Sequence, residues 1–282
     1  MGSFRDLIDR PVVVVSTPRS GSTFVYETLE RAPALFTTGQ ESHFLIEDMP
    51  GLSPPARGWD SNRLTSGDAT AERAEAISRE FYRQARDRDA KPPEGAIRLL
   101  EKTPKNALRI PFFASVWPDC RFVYLYRDVR ETLASMMEAW ASGGFRTYPE
   151  LPGWQGYPWS MVLVPGWRDL IGRPLPEIVA RQWAITTETM VADLAALAPG
   201  RVTALTYDAF KADPGAMVGR LAKSLDLGWD RPLEPVLPLS KTTVSPPRPD
   251  KWRRLEAAIE ALRPIVEPAD RNARAFVDEH AL

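Results

Sequence analysis

The 282-residue sequence holds one cysteine, Cys120, and only two histidines, His43 and His280. A lone cysteine excludes an intrachain disulfide and points to a reducing, cytoplasmic setting. With so few Cys and His side chains, a zinc site would have to lean on carboxylates, so no metal is expected. No apolar run approaches the ~20 residues of a membrane span. The N-terminal stretch MGSFRDLIDR lacks the apolar core of a signal peptide, and Asp6 stands where a myristoylation pattern wants Ser or Thr. A surplus of positive charge is also missing. Lys and Arg number 36 against 37 Asp and Glu, for a formal net charge of -1, which argues against a nucleic-acid partner. Any anion this chain binds must be met by basic residues placed locally.

What is present reads as an ordinary globular chain, 44% hydrophobic and 26% charged, long enough for one large α/β domain or two small ones. Val12 to Val15 is a continuous β-branched run, the pattern of a strand buried on both faces. A turn follows from Ser16 to Gly21. Phe24, Val25, Thr28 and Leu29 then recur at helical spacing and stop before Pro33. The pattern continues with a polar helix over Ala69–Arg88, a strand over Ala96–Lys102 and a helix over Pro111–Trp117. A strand over Arg121–Tyr126 and a helix over Val129–Trp140 come next. Residues 143–173 are rich in Gly, Pro and aromatics without clear periodicity, as lids and binding loops often are. A helix over Pro174–Leu197, a strand over Val202–Tyr207, a helix over Pro214–Leu225 and a closing helix over Lys251–Arg263 complete the reading. Strands alternating with helices, with no linker between, predict one domain over residues 1–282, with a central, mostly parallel sheet covered on both faces.

The stretch VVVVSTPRSGSTF carries the most chemical information. Laid over the phosphate-loop pattern G-x-x-x-x-G-K-[ST], Gly21 and Thr23 fit, Ser16 replaces the first glycine and Ser22 replaces the lysine. The anion cradle survives these losses: free N–H groups at a helix start converge on one point, and the helix dipole adds positive potential there. Ser20, Ser22 and Thr23 add hydroxyl donors. What is lost is the lysine that reaches the outer phosphates of a nucleoside triphosphate. Arg19 offers its charge from another point of the loop. Such a loop suits a single phosphate with chemistry at its outer edge; it would also serve as a plain strand-to-helix turn capped by serines.

Pro18-Arg19-Ser20-Gly21-Ser22-Thr23 resembles the 5′-phosphosulfate loop of sulfotransferases that use 3′-phosphoadenosine 5′-phosphosulfate (PAPS). RFVYLYRDVRETLASMMEAW resembles the second element of that family, a strand, Arg-Asp and a helix carrying Ser, here Arg127 and Ser135. QESHFL and LLEKTPKN resemble two segments of the heparan-sulfate-type branch, K-E-x-H-F-F and E-K-T-P. VTALTYDAF resembles the family's late strand ending in Tyr-Glu-Asp-Leu, with Asp208 in place of Glu. The whole is most similar to bacterial stand-alone sulfotransferases and those found as domains of polyketide assembly lines.

The resemblance implies a P-loop-type α/β fold, in-line transfer of SO₃ from PAPS to a hydroxyl, adenosine 3′,5′-bisphosphate as product and no metal. It implies that Arg19, Ser20, Gly21, Ser22 and Thr23 meet the 5′-phosphosulfate and that Arg127 and Ser135 meet the 3′-phosphate. Tyr207 is implied to lie against the adenine, and a late basic loop to close the pocket; Lys251 and Arg253 are preferred there over Lys241 and Arg248. The acceptor proton needs a base, which the resemblance places on Glu41. His43 competes for the role, since two residues apart in an extended segment face the same way. Lys102, at the end of a strand, is a candidate to steady the sulfuryl group or the acceptor; an ion pair with a neighbour is the plainer reading. Asp128 is read as a helix cap. Residues 143–173 are expected to shape the acceptor side. The acceptor itself, a small molecule or a lipid- or polyketide-like hydroxyl compound, is left open. Two rivals stand beside this reading: an ATP-dependent small-molecule kinase, which needs the lysine that Ser22 does not supply, and a catalytically silent nucleotide-binding protein.

Overall fold

The computed structural model describes residues 2–233 and 250–282, so Lys241 and Arg248 lie outside the described residues. The valine run forms β1 (Val12–Val15) and the turn after it feeds α1 (Ser22–Leu29). Between α1 and the polar helix lie β2 (Leu35–Phe36) and α2 (His43–Glu47). The polar helix is α3 (Ala71–Gln84), begun by Thr70, whose side chain accepts from the Arg73 amide. Then come β3 (Arg98–Lys102), α4 (Ile110–Val116), β4 (Arg121–Tyr126) and α5 (Val129–Ser142). Residues 143–173 hold a small antiparallel pair, β5 (Arg146–Tyr148) and β6 (Trp159–Ser160). After it run α6 (Leu175–Ala195), β7 (Val202–Thr206), α7 (Tyr207–Ala212) and α8 (Pro214–Ser224). Past residue 249 a 3-10 turn over Lys251–Leu255 leads to α9 (Glu256–Ala261) and α10 (Arg263–His280).

Five strands form one sheet in the order β2-β3-β1-β4-β7, and every neighbouring pair is parallel. The expected central parallel sheet flanked by helices is therefore the fold. Its valines are buried on both faces, as a continuous β-branched run requires. Val13 and Val15 enter a core built with Phe81 of α3, Phe112 and Phe113 of α4, Met190 of α6 and Phe276 of α10. Val12 and Val14 enter the opposite core, with Leu29 of α1, Phe210 of α7 and Leu221 of α8. A third core lies between α5, α6, α9 and the 143–173 stretch.

That stretch has more structure than its composition suggests. Trp159 and Trp167 are fully buried, and Trp154 packs edge-on against both, with ring centroids 4.8 and 6.2 Å away. Gln182 of α6 donates to the carbonyls of Ser160 and Val162 at 2.9 and 2.7 Å, satisfying backbone groups in a segment with little regular ladder. The closing helix also differs from the sequence reading, which ended it at Arg263. It breaks at Leu262 and continues as the 18-residue α10, which packs on α6 and β7. Pro268 falls inside that pattern and masks it, because proline ordinarily interrupts a helix interior.

Because the strands are parallel, their carboxyl ends share one edge, where open α/β sheets present ligand sites. The phosphate loop leaves β1 at this edge, Lys102 ends β3, Arg127 follows β4 and Tyr207 follows β7.

Candidate functional site

The phosphate loop is held in an unusual backbone shape. Gly21 caps α1 with φ 93°, and Arg19, which has a side chain, sits at φ 68°. A non-glycine residue there costs on the order of 1–2 kcal/mol and persists only where the surroundings impose it. Hydroxyls supply part of that constraint: Thr17 Oγ1 and Ser20 Oγ lie 2.7 Å apart, and Ser16 Oγ donates to the Thr17 carbonyl at 2.9 Å. Arg127 supplies the rest by donating from Nη1 to the Arg19 carbonyl at 3.1 Å.

Two guanidinium groups therefore meet over the loop. Arg19 donates from Nε to Ser135 Oγ at 3.4 Å and lies 4.8 Å over the Phe145 ring. Burial first, and the neighbouring Arg127 second, lower its proton affinity from the ordinary arginine value, though an arginine stays charged at such a site. Arg127 chelates Glu131 Oε2 at 2.8 and 3.0 Å, one turn along α5, and lies 4.7 Å over the Tyr207 ring. Asp128 caps α5 as expected, accepting from the amides of Arg130 and Glu131. Arg274 of α10 reaches the same carboxylate at 3.3 Å.

Tyr207 is the first residue of α7 rather than the last of β7, because the Thr206 side chain caps that helix by accepting from the Ala209 amide. Its ring covers Gly21 and is nearly buried.

On the other side of the loop, Lys102 is enclosed and bridges two assigned residues. Its ammonium donates to Glu41 Oε1 at 2.9 Å and to Thr23 Oγ1 at 3.1 Å. The 41–43 segment is not extended. Glu41 lies in a turn and His43 opens α2, because Ser42 is pegged into the edge of β3: its amide donates to Thr103 Oγ1 at 2.9 Å and its hydroxyl to Glu101 Oε1 at 2.6 Å. Glu41 and His43 therefore do not share a face as an extended strand would arrange them. The His43 ring packs edge-on to Phe44 with centroids 6.2 Å apart. Burial first, then Lys105, lowers its pKa, so it is a neutral imidazole at pH 7.

The late basic residues divide. Lys251 pairs with Glu138 of α5, beside Ser135. Arg253 lies 5.1 Å over the Trp252 ring and 3.8 Å from Glu256, well exposed. Among the described residues the structure brings Arg19, Ser20, Gly21, Thr23, Glu41, Lys102, Arg127, Ser135 and Tyr207 into one connected array, with Ser22 as the first residue of α1.

Several members of this environment were not read from the sequence. Glu131 stands four residues after Arg127, a helical pairing the spacing does contain. Phe145 and Glu138 could not be found that way, since only folding brings them near Arg19 and Lys251. Behind His43 lies a further buried group: Glu47 takes Lys105 at 2.8 Å and Arg109 at 2.5 Å, while Asn62 donates to the Tyr148 hydroxyl at 2.6 Å and to Glu47 at 3.3 Å. Glu47 follows His43 by one helical turn, which was the available signal.

Comparison with known proteins bears on this geometry. The model of the sulfotransferase family matches residues 11–231. A Caenorhabditis briggsae protein described as "Putative protein-tyrosine sulfotransferase" is 28% identical over 127 residues, which is 45% of this chain and 42% of that protein. The match thus spans less than half the length of that curated relative. Among solved structures, a sulfotransferase from Alicyclobacillus acidocaldarius superposes with a TM-score of 0.53 at 13% identity, covering 96% of this chain and 97% of the other. The sulfotransferase STF9 from Mycobacterium avium superposes with a TM-score of 0.52 at 13% identity, covering 92% and 75%. At such identities the superpositions speak to the fold alone. Among the described residues no helix is long and apolar enough to cross a membrane.

Proposed function

The chain belongs to the sulfotransferase family, and from that premise we propose that it transfers the sulfuryl group of PAPS to the hydroxyl of a small-molecule acceptor. The observation that carries this reading is the junction at the sheet edge, where Arg127 of the strand-β4 element holds the carbonyl of Arg19 in the phosphate loop and Arg19 in turn meets Ser135. Both phosphates of the donor branch from one ribose, so the groups that hold them must be neighbours. The residues fit such a donor: the loop is shaped as an anion cradle, Gly21 lets the Tyr207 ring lie close against it, and the charge of Arg127 lowers the proton affinity of the half-buried Arg19, a repulsion an anion would relieve.

When bound, PAPS supplies an activated sulfuryl group with adenosine 3′,5′-bisphosphate as its leaving group. The amides and hydroxyls of residues 20–23 hold the 5′-phosphate, and Arg19 stabilises negative charge at the bridging oxygen. Fixed donors of this kind contribute roughly 10²–10³-fold to rate. Arg127 and Ser135 hold the 3′-phosphate, with Lys251 at its rim. Glu41 takes the acceptor proton, and Lys102 keeps that carboxylate beside Thr23 at the end of the cradle. Neutral His43 is the alternative proton acceptor. Residues 143–173, which place Phe145 against Arg19, form the acceptor side. The chain itself contributes alignment and charge placement.

The experiment is transfer of labelled sulfate from PAPS to a panel of hydroxyl compounds, alongside thermal shifts with adenosine 3′,5′-bisphosphate and with ATP plus magnesium. Stabilisation by the bisphosphate with label transfer supports the reading. Stabilisation by ATP and magnesium alone would replace it with a kinase, and bisphosphate binding without transfer to any acceptor would favour a silent nucleotide-binding protein.

A further inference from the structure

Beneath the turn that carries Glu41 lies a buried carboxyl for which the proposed reaction has no use. Glu101 is the penultimate residue of β3 and has no exposed surface. Its Oε1 accepts three hydrogen bonds, from Ser42 Oγ at 2.6 Å, Thr103 Oγ1 at 2.8 Å and Asn106 Nδ2 at 2.9 Å. Its other oxygen, Oε2, is buried and meets no donor, and the Asn106 amide oxygen Oδ1 is buried and meets no donor either. Buried acceptors in folded proteins are nearly always satisfied, and leaving one unsatisfied is costly. Here two residues already joined through Oε1 and Nδ2 each keep one orphaned oxygen. An acid and a primary amide joined on one side can close into a ring through an O–H···O bond on the other. A single proton on Oε2 turns that atom into a donor and satisfies both oxygens at once.

We propose that Glu101 is a neutral carboxylic acid that gives its proton to Asn106 Oδ1, and that it is the positioning residue for the turn bearing Glu41. The second half rests on the reading of Glu41 as the base. Groups facing Glu101 come from every element around it. Lys102 on β3 favours the ionised form; Tyr26 of α1, whose phenol burial keeps protonated, and Ser42, Thr103 and Asn106 carry no charge. Burial outweighs Lys102 and the three donors and pushes the carboxyl up from its ordinary range. A neutral Glu101 leaves Glu41 as the only carboxylate paired with Lys102 among the described residues, so the cation and the base stay together beside Thr23. Its Oε1 and the Thr103 hydroxyl meanwhile hold the hydroxyl and the amide of Ser42, the residue next to the base.

The test uses the full chain. Infrared spectroscopy of the wild-type protein at pH 7, where ordinary carboxyls are ionised, should show a buried protonated-carboxyl stretch that is absent from Glu101→Gln. A spectrum without that band overturns the proposal. A folded pKa raised above the unfolded one gives stability that is complete in acid and is lost as pH rises, whereas glutamine does not ionise. The melting temperature of Glu101→Gln relative to wild type should therefore climb from pH 5 to pH 7, by up to about tenfold in the folding equilibrium per pH unit. A Glu101→Gln chain that fails to fold, or is less stable by a margin independent of pH, overturns it. For the positioning role, amide exchange at Ser42 should quicken in Glu101→Ala and return to the wild-type rate in Glu101→Gln; equal exchange in all three overturns that half. Sulfuryl transfer, measured on the same proteins, should fall about tenfold or more in kcat for Glu101→Ala with KM for PAPS unchanged, and be rescued in Glu101→Gln; an alanine variant with wild-type kcat also overturns the positioning role. If the wild type transfers no sulfuryl group, the proposed function fails, while the infrared, stability and exchange results still decide the state and role of Glu101.

Discussion

The ring of Tyr207 occupies the space a side chain at residue 21 would need: a Cβ built on Gly21 falls 2.5 Å from both Cδ2 and Cε2 of that ring. Glycine is required here twice over, by this contact and by its left-handed backbone. Gly21→Ala should cost roughly 2–4 kcal/mol from strain and overpacking together. It should also displace Tyr207 from Arg127, so that adenosine 3′,5′-bisphosphate no longer raises the melting temperature. A variant with wild-type stability and nucleotide response would show that the ring moves aside freely.

Arg127 joins the phosphate loop, Glu131 and Tyr207, and is assigned the 3′-phosphate. Charged hydrogen bonds are worth about 1.5–3 kcal/mol, so Arg127→Ala should weaken bisphosphate binding roughly 10- to 100-fold by calorimetry. Arg127→Lys keeps the charge but not the fork, and should recover only part of the affinity. Unchanged affinity in the alanine variant would remove the residue from the donor site.

Glu41→Gln keeps an acceptor for the Lys102 ammonium but cannot take a proton. Bisphosphate affinity should be unaltered and kcat should drop by about 10²–10⁴-fold. A variant with wild-type kcat would transfer the role to His43, whose neutral imidazole lies two residues on.

Glu47 holds two buried cations together. Burial pushes its carboxyl up, but the charges and hydrogen bonds of Arg109 and Lys105 outweigh burial and keep it below the ordinary range. Its folded pKa is depressed, so its stabilisation is fully present above the unfolded value of about 4.3 and is lost as pH falls through the folded one. Glu47→Gln should therefore cost about 3–5 kcal/mol at pH 7 by strandling two enclosed charges. The gap in melting temperature between variant and wild type should narrow below about pH 4. A gap constant down to acid would mean the carboxylate is not what holds the cations.

Phe276 of α10 stacks on His280 at 4.0 Å and packs edge-on to Tyr124 of β4 at 5.9 Å. Phe276→Ala should destabilise the chain by about 3–5 kcal/mol in denaturant unfolding, with an unchanged requirement for the acceptor. A loss under 1 kcal/mol would mean α10 is an appendage rather than the cover of the sheet.

Much of the architecture was legible in local patterns. The β1 valines, the alternation of strands with helices, and the Asp128 cap all follow from spacing that each segment carries within itself. The phosphate loop was legible for the same reason: its glycine, hydroxyls and arginine are contiguous. The Glu41–His43 geometry was not, because an isolated six-residue segment reads equally as strand or helix start. Only the pegging of Ser42 by Thr103 and Glu101, some 60 residues away, decides it. Residues 143–173 looked irregular because their order comes from tryptophan packing and from Gln182, neither of which imposes a period. Pro268 hid α10 by imitating a stop signal.

The amino-acid order by itself determined a parallel α/β sheet and a strand-to-helix loop of glycine, hydroxyls and arginine that lacks the lysine of a triphosphate site. Tertiary structure alone decided that Arg19 meets Ser135, that Lys102 joins Glu41 to Thr23, and that Lys251 pairs with Glu138. Periodicity and turn chemistry are written in neighbours a few residues apart. Charge pairing depends on which distant side chains the packed core brings within three to four ångströms and shields from water.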